Sequence, residues 1–536
     1  MTAASPGMIP RLLGQAWTRL KDFSAVGGSA TYLWPSWVLL RGVGLVYILM
    51  FAGIIHEGQA LVGPTGIMPA HDFLAAMLKQ CANPVEAFLR APSLFWIGSS
   101  AGMVAALGWL GLAAAVAVVL NLWPRWSMFA AWLLFLSFAT TGAFFSETAT
   151  DPLMLEVGLL GVLLAPPGML PGWLPKIAPR RIAIFALRWM LFRLMLEAGL
   201  SKFVFGNALW RDLTVMDLMY QTAPFPTVLG YWDFQLPHIL HVGEIALTFV
   251  AEILMPFLMI FGGKRWRWFA FGVWVIFQAG IELTNNFGWL QVAAIALGVV
   301  ILDDAMIVDA VRWLRLPQLA DFLAARAAAL VARPVPPWAR WTVRAAVAVQ
   351  FAVAVFFYVV SPNRIPIERV PGFVKEPVVL LFGAWRSANA YALFGNLKSV
   401  REVVEFSGSN DGGETWRTYE YRYLVHRVDQ ISPYIAPWYP RFEAILQNNM
   451  LITSSPVLYQ SVGAHLLRRD PQVVKLFRRD PFPDRPPMMV RMSTYRLYFT
   501  DARTLRASGH YWRKEYQGEF APMMLMGENG EIIMSE

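Results

Sequence analysis

Nine stretches of this chain are apolar enough, and most are long enough, to be helices that cross a lipid bilayer. They lie at about 36–55, 94–120, 127–146, 153–165, 183–205, 238–261, 266–283, 287–302 and 341–361. About 20 apolar residues match the hydrocarbon thickness of a bilayer, so the run of segments predicts a polytopic helical membrane protein. Only 15% of residues are charged, against about 25% in a soluble domain, which supports the same class. The segment 153–165 is short for a crossing, but counting it keeps the charge distribution consistent.

That distribution sets the expected topology. With nine crossings and a cytoplasmic N-terminus, 15 basic residues fall on the cytoplasmic side. They cluster at 11–21, at 125, at 176–181, at 264–267 and in the Arg- and Ala-rich linker 304–340, which includes Arg333. The short outer loops hold three: Lys79, Arg90 and Arg211. The bias follows the positive-inside rule and puts the chain after the last span outside the cytoplasm. It also accounts for the net charge of +9 without a nucleic-acid partner; the partner expected from composition is the lipid bilayer.

Three domains are expected. Residues 1–35 form a cytoplasmic tail with a short interfacial helix. Residues 36–361 form the multi-pass bundle. Residues 362–536 lose the long apolar runs and read as a β-rich α+β domain outside the cytoplasm. Within it, 400–423 alternates around a Gly/Asn/Asp turn, 438–480 has helical patterning, and 489–517 alternates again. The single cysteine, Cys81, rules out an internal disulfide and a thiolate zinc centre.

The most informative stretch is 185–218, FALRWMLFRLMLEAGLSKFVFGNALWRDLTVMDL. It is a membrane-type helix carrying Arg188, Arg193, Glu197 and Lys202, and it runs into a polar loop with Trp210, Arg211 and Asp212. Charges in hydrocarbon are costly, so they face a bundle interior or a wet cavity and point to function. Arg193 and Glu197 are four apart and can neutralise each other on one helix face. Lys202 either snorkels to the outer interface or, partly desolvated, serves as a base. His238, His241 and Glu244 share one face of the next span. Two His at helical spacing with no third ligand fixed do not make a metal site, and none is expected. Glu282, Asn285 and Asn286 close the seventh span, the asparagines as a helix cap and tight turn. Asp151 and Glu156 flank the start of the short fourth span. An outward-facing wet vestibule under the soluble domain would hold all these groups. No phosphate-binding loop, dinucleotide fingerprint or nucleophile elbow is present, and no cofactor is expected.

Several ordered segments carry a family resemblance. RGVGLVYILMFAGIIHEGQALVGPTGIMPA (41–70), AGLSKFVFGNALWRDLTVMDLMYQTAPFPT (198–227), LTNNFGWLQVAAIALGVVILDD (283–304), YEYRYLVHRVDQISPYIAPWYPRFEAIL (419–446) and SGHYWRKEYQGEFAPM (508–523) resemble successive motifs of the lipase maturation factor family. The resemblance implies a multi-pass membrane protein that helps secreted lipases fold and assemble into active dimers. In animals that role belongs to the endoplasmic reticulum, with the C-terminal domain in the lumen. This chain departs from the animal pattern at PRFEAILQNN, and its Ala/Arg/Leu-rich style suggests a bacterial inner membrane. A folding factor without catalysis would bind its secreted client through exposed aromatics, for which Tyr434, Trp438, Tyr439 and Trp512 are candidates. The segment 199–203 is more faintly similar to the membrane domain of vitamin K-dependent carboxylase, where a Lys at the matching place is a base. That likeness implies the alternative, a membrane enzyme acting on a lipid- or quinone-like substrate with Lys202 as base.

Overall fold

The computed structural model describes residues 8–25, 29–145, 150–332, 335–360, 365–452 and 455–535. The first seven residues of the expected tail, Arg333 of the basic linker and the 361–364 junction between the expected bundle and soluble domain lie outside the described residues.

A helical region precedes a C-terminal antiparallel sheet domain. Every expected span position carries a helix, though not every helix qualifies as a span. Among the described residues, Leu33–Val62, Ala101–Val119, His238–Phe261 and Pro337–Val359 are long and apolar enough to cross a membrane. A fifth qualifies only as a pair, Trp289–Ile301 with Asp304–Trp313, bent by 102° at the break. Two of the other helices show why the count falls short of nine. Thr150–Leu164 has 15 residues and rises about 22 Å, short of the roughly 30 Å hydrocarbon core. Arg181–Phe205 is long enough but carries Arg181, Arg188, Arg193, Glu197 and Lys202.

The bend after Ile301 has a local cause. Asp303 accepts from the Met306 amide and caps the helix it begins. Asp304 turns the other way and accepts from the Leu33 and Trp34 amides at 2.9 and 2.8 Å. It thereby caps Leu33–Val62, where a carboxylate also meets the positive end of the helix dipole. The stretch 304–340, expected as a linker, is instead largely helical, over Asp304–Trp313 and Pro317–Ala328. It packs on the start of the first long helix, where Trp34 donates to the Leu323 carbonyl. Residues 206–237, expected as a loop, contain three short helices, Ala208–Arg211, Met216–Thr222 and Val228–Phe234.

The sheet has five antiparallel strands: β1 (Arg401–Ser409), β2 (Arg417–Thr418), β3 (Met489–Phe499), β4 (Trp512–Met526) and β5 (Ile532–Met534), in the order β2–β1–β3–β4–β5. The alternating stretch after the turn yields only two strand residues. Tyr419 and Tyr421 are drawn into the core instead, and the Tyr421 hydroxyl donates to the Val404 carbonyl. The helical segment between β2 and β3 forms Arg441–Ile452, Pro456–Leu467 and Pro471–Val474. Pro456–Leu467 lies against β3 and β4. A Cβ on Gly463 would lie 2.9 Å from the Met524 sulfur, so a larger residue there would have to displace the end of that methionine.

Candidate functional site

The charges of the helix Arg181–Phe205 resolve into separate buried centres. At its start, Arg188 is fully buried and donates to five main-chain carbonyls: Asp22 and Phe23 at the end of the N-terminal helix, and Val300, Ile301 and Leu302 at the bend. Carbonyls at helix ends lack intrahelical donors, and a guanidinium fork satisfies several at once. Arg188 is a structural clasp.

One and a half turns on, Arg193 pairs with Glu156 of Thr150–Leu164. The expected partner Glu197 is 3.9 Å away, because the same-helix order Arg-then-Glu is poorly aligned while Glu156 faces Arg193 directly. Glu156 also accepts from Gln350 at 2.7 Å, the Asn389 amide at 3.1 Å and the Tyr391 hydroxyl at 2.8 Å. Glu197 accepts from the Tyr391 amide at 2.7 Å, and Arg193 donates to the Asn389 carbonyl at 2.8 Å. The strap 389–391, which leads toward the sheet domain, is therefore threaded into the charged core of the bundle.

Near the end of the helix, Lys202 does not snorkel. It is buried and donates to both oxygens of Glu252 at 2.7 and 2.9 Å. Glu252 lies in a π-helical segment, Val250–Leu254. Pro256 has no amide to offer the Glu252 carbonyl, which accounts for the local widening. With Glu252 as its counter-ion, the Lys202 charge is matched inside the protein. Trp210 is buried against this end and donates to the Phe394 carbonyl. Asn207 donates to the Leu397 carbonyl at 2.7 Å. Arg211 and Asp212 stay on the surface.

His238, His241 and Glu244 do share a neighbourhood, completed by the short helix Met216–Thr222. His238 lies 2.8 Å from Asp217, His241 lies 3.0 Å from Glu244, and Tyr220 donates to Glu244 at 2.9 Å. Burial and the Glu244 charge push the Tyr220 phenol well above its usual range. Among the described residues no group of three or more His, Cys, Asp or Glu is placed to hold a metal ion.

The turn after Lys264–Asn285 is where bundle and sheet domain lock. Asn286 caps that helix in the left-handed conformation, φ 53°. Its side chain donates to the Phe225 and Pro433 carbonyls and accepts from the Ile435 and Ala436 amides. All four bonds an amide side chain can readily make are used. Gly288, φ 71°, lies so close to Tyr439 that a Cβ there would approach its Cβ to 2.8 Å. The Asn-Asn-Phe-Gly and Pro-aromatic motifs, 150 residues apart in the chain, are two halves of one joint. Asn285 and Glu282 are buried beside it, with Asn285 Oδ1 and both Glu282 oxygens unpartnered among the described residues.

Residues that the sequence reading missed complete the joint. Arg441 makes a two-pronged pair with Asp151 at 2.9 and 3.0 Å. The Phe442 amide donates to Glu57 at 3.0 Å. Arg401, the first residue of β1, is buried and donates to the Ala223 and Pro224 carbonyls, and burial pushes its guanidinium down to about 9. Glu443 accepts from the Arg422, Tyr423 and Leu424 amides, yet burial outweighs those bonds and pushes its carboxyl up to about 7. An Arg directly after the Pro-aromatic motif was a usable signal for Arg441. Nothing local marked Asn389 or Tyr391.

The expected open vestibule is thus corrected: the sheet domain's own chain occupies it and satisfies most of the polar groups. The four aromatics offered as an exposed patch separate as well. Tyr434 is 55% exposed. Trp438 is half-buried against His56 and Tyr439 against Phe225. Trp512 is 1% exposed, stacked on Phe499 with its indole N–H bonded to the Gln430 carbonyl, so it is core rather than surface.

Two family models match this chain, one described as the lipase maturation factor transmembrane domain over residues 34–309 and one as the lipase maturation factor C-terminal domain over 387–522. Lipase maturation factor 1 of Bos taurus is 27% identical over 522 residues, covering 90% of this chain and 88% of the relative. The Homo sapiens protein of that name is also 27% identical, covering 92% and 88%. Lipase maturation factor 2 of Homo sapiens is 25% identical over 596 residues, covering 92% and 83%. No solved structure matches.

Proposed function

The chain belongs to the lipase maturation factor family, and from that premise we propose that it is a membrane-embedded folding and assembly factor for secreted proteins, lipases among them. The observation that carries the reading is the joint itself. The family-matched helical region and the family-matched sheet domain are fastened by Arg441–Asp151, Arg401 and Asn286. A client-handling domain held rigidly over a bilayer suits assembly of secreted chains as they emerge.

In this reading the bundle spans 36–361 with nine crossings and a cytoplasmic N-terminus. The domain 362–536 stands outside the cytoplasm, in the lumen or periplasm. The basic bias of the loops supports that orientation. The client meets the exposed Tyr434 and the half-exposed edge of Trp438, since a protruding aromatic beside a polar rim is a common contact surface. The enzyme alternative, with Lys202 as base, gains no support from the geometry, because Glu252 already engages the ammonium.

The test is the specific activity of a secreted lipase co-expressed with the chain. Activity should rise with the wild type, fall with Tyr434→Ala/Trp438→Ala and persist with Arg211→Ala. Equal lipase activity with and without the chain would sink the proposal.

A further inference from the structure

A cleft lies between the charged helix, the π-helical segment and the helices Lys264–Asn285 and Trp289–Gly298. Glu252 forms one wall, Trp274, Phe277 and Gln278 another, Gln291 a third, and Phe394 of the strap crosses one end. Its empty volume, mouth included, is about 420 Å³, but its roomy part is only about 40 Å³. That is space for a few waters, so the inner part admits only a small polar head and the rest of any larger occupant must lie in the mouth.

The polar groups say what the occupant must offer. Gln291 is 2% exposed and its Oε1 has no hydrogen-bond partner among the described residues. A buried orphan acceptor is costly enough to call for an explanation, commonly a group bound there. Glu252 is not available, since Lys202 takes both its oxygens. The unsatisfied atom is an acceptor, and the remaining walls are largely aromatic and aliphatic.

We propose that this cleft is a lipid site for a single-chain amphiphile whose head donates a hydrogen bond, through a hydroxyl or a primary ammonium, to Gln291. The chain of the amphiphile lies along Trp274 and Phe277. The strap at Phe394 closes over it, next to the Trp210 bond that ties strap to bundle. This site stands independently of the folding-factor reading, and its test needs no client.

The full chain, purified in detergent, is incubated in turn with monoacylglycerol, lysophosphatidylethanolamine and lysophosphatidylcholine, then examined by native mass spectrometry. The third probe has a charged head without an N–H or a free primary hydroxyl, though its glycerol keeps one secondary hydroxyl, so a graded response is the informative one. Retention of monoacylglycerol or lysophosphatidylethanolamine well above lysophosphatidylcholine is expected, and which of the two is held identifies the head. Gln291→Leu should lower that retention about tenfold, a loss of about 1.4 kcal/mol, while Gln291→Glu keeps it. Equal retention of all three, no retention, or retention unchanged in Gln291→Leu would overturn the proposal and leave water as the occupant. If Gln291→Leu does not accumulate, Gln291→Met, which also removes the acceptor, gives the same comparison.

Discussion

Two buried charge centres sit on one helix, nine residues apart, and they are built differently. Around Glu156 and Arg193, three polar side chains and two main-chain groups from other parts of the chain converge. Around Lys202 and Glu252 there is one ion pair, one weak carbonyl contact, the Trp210 ring 5.6 Å from the ammonium, and a cleft. A buried ion pair offsets its desolvation only when further hydrogen bonds satisfy the remaining lone pairs. The first centre meets that condition and holds the sheet domain's strap. The second does not, and it lies where a ligand would be felt.

The largest expected effect tests the first centre. Glu156→Ala takes the carboxylate from Arg193 and from four donors of Gln350, Asn389 and Tyr391, and should destabilise by about 3–5 kcal/mol, seen as loss of folded protein in detergent by thermal unfolding. The joint double replacement Lys202→Met/Glu252→Leu should be close to neutral, because an apolar pair can replace a sparse buried ion pair at little cost. If the two variants unfold alike, the contrast between the centres is wrong.

Arg441→Ala comes next. It leaves Asp151 buried without its guanidinium and should loosen the sheet domain by about 3 kcal/mol, read as faster proteolysis between bundle and sheet. Asn286→Ala removes four bonds at the same joint and should cost about 1–3 kcal/mol. A smaller effect follows pH. The folded Glu443 carboxyl sits near 7, above its unfolded value, so its contribution is full below about 4.5 and fades as pH rises toward 7. The unfolding midpoint should therefore fall more steeply over that window in the wild type than in Glu443→Gln. Last, Arg211→Ala should change stability by less than about 0.5 kcal/mol, since an exposed side chain is involved.

Much of the helical region was legible because hydrophobic periodicity is local. The helix positions agree with the apolar runs, and β1, β3 and β4 fall where alternation placed them. Arg193, Glu197 and Lys202 stood out for an equally local reason, as charges inside an apolar run. Their partners were not legible. Glu156 lies 37 residues from Arg193 and Glu252 lies 50 from Lys202, and nothing in either neighbourhood announces the pairing. Trp512 misled because an aromatic in a strand reads the same whether it faces solvent or core.

By itself the sequence determined the membrane-type helical region, the sheet domain after it and the family, since each rests on composition, period or ordered motifs carried along the chain. Only the tertiary structure decided that the polar groups expected to line an open vestibule are the joint between those two parts. Burial makes every such group demand a partner, and the partners come from segments that meet only once the chain has folded.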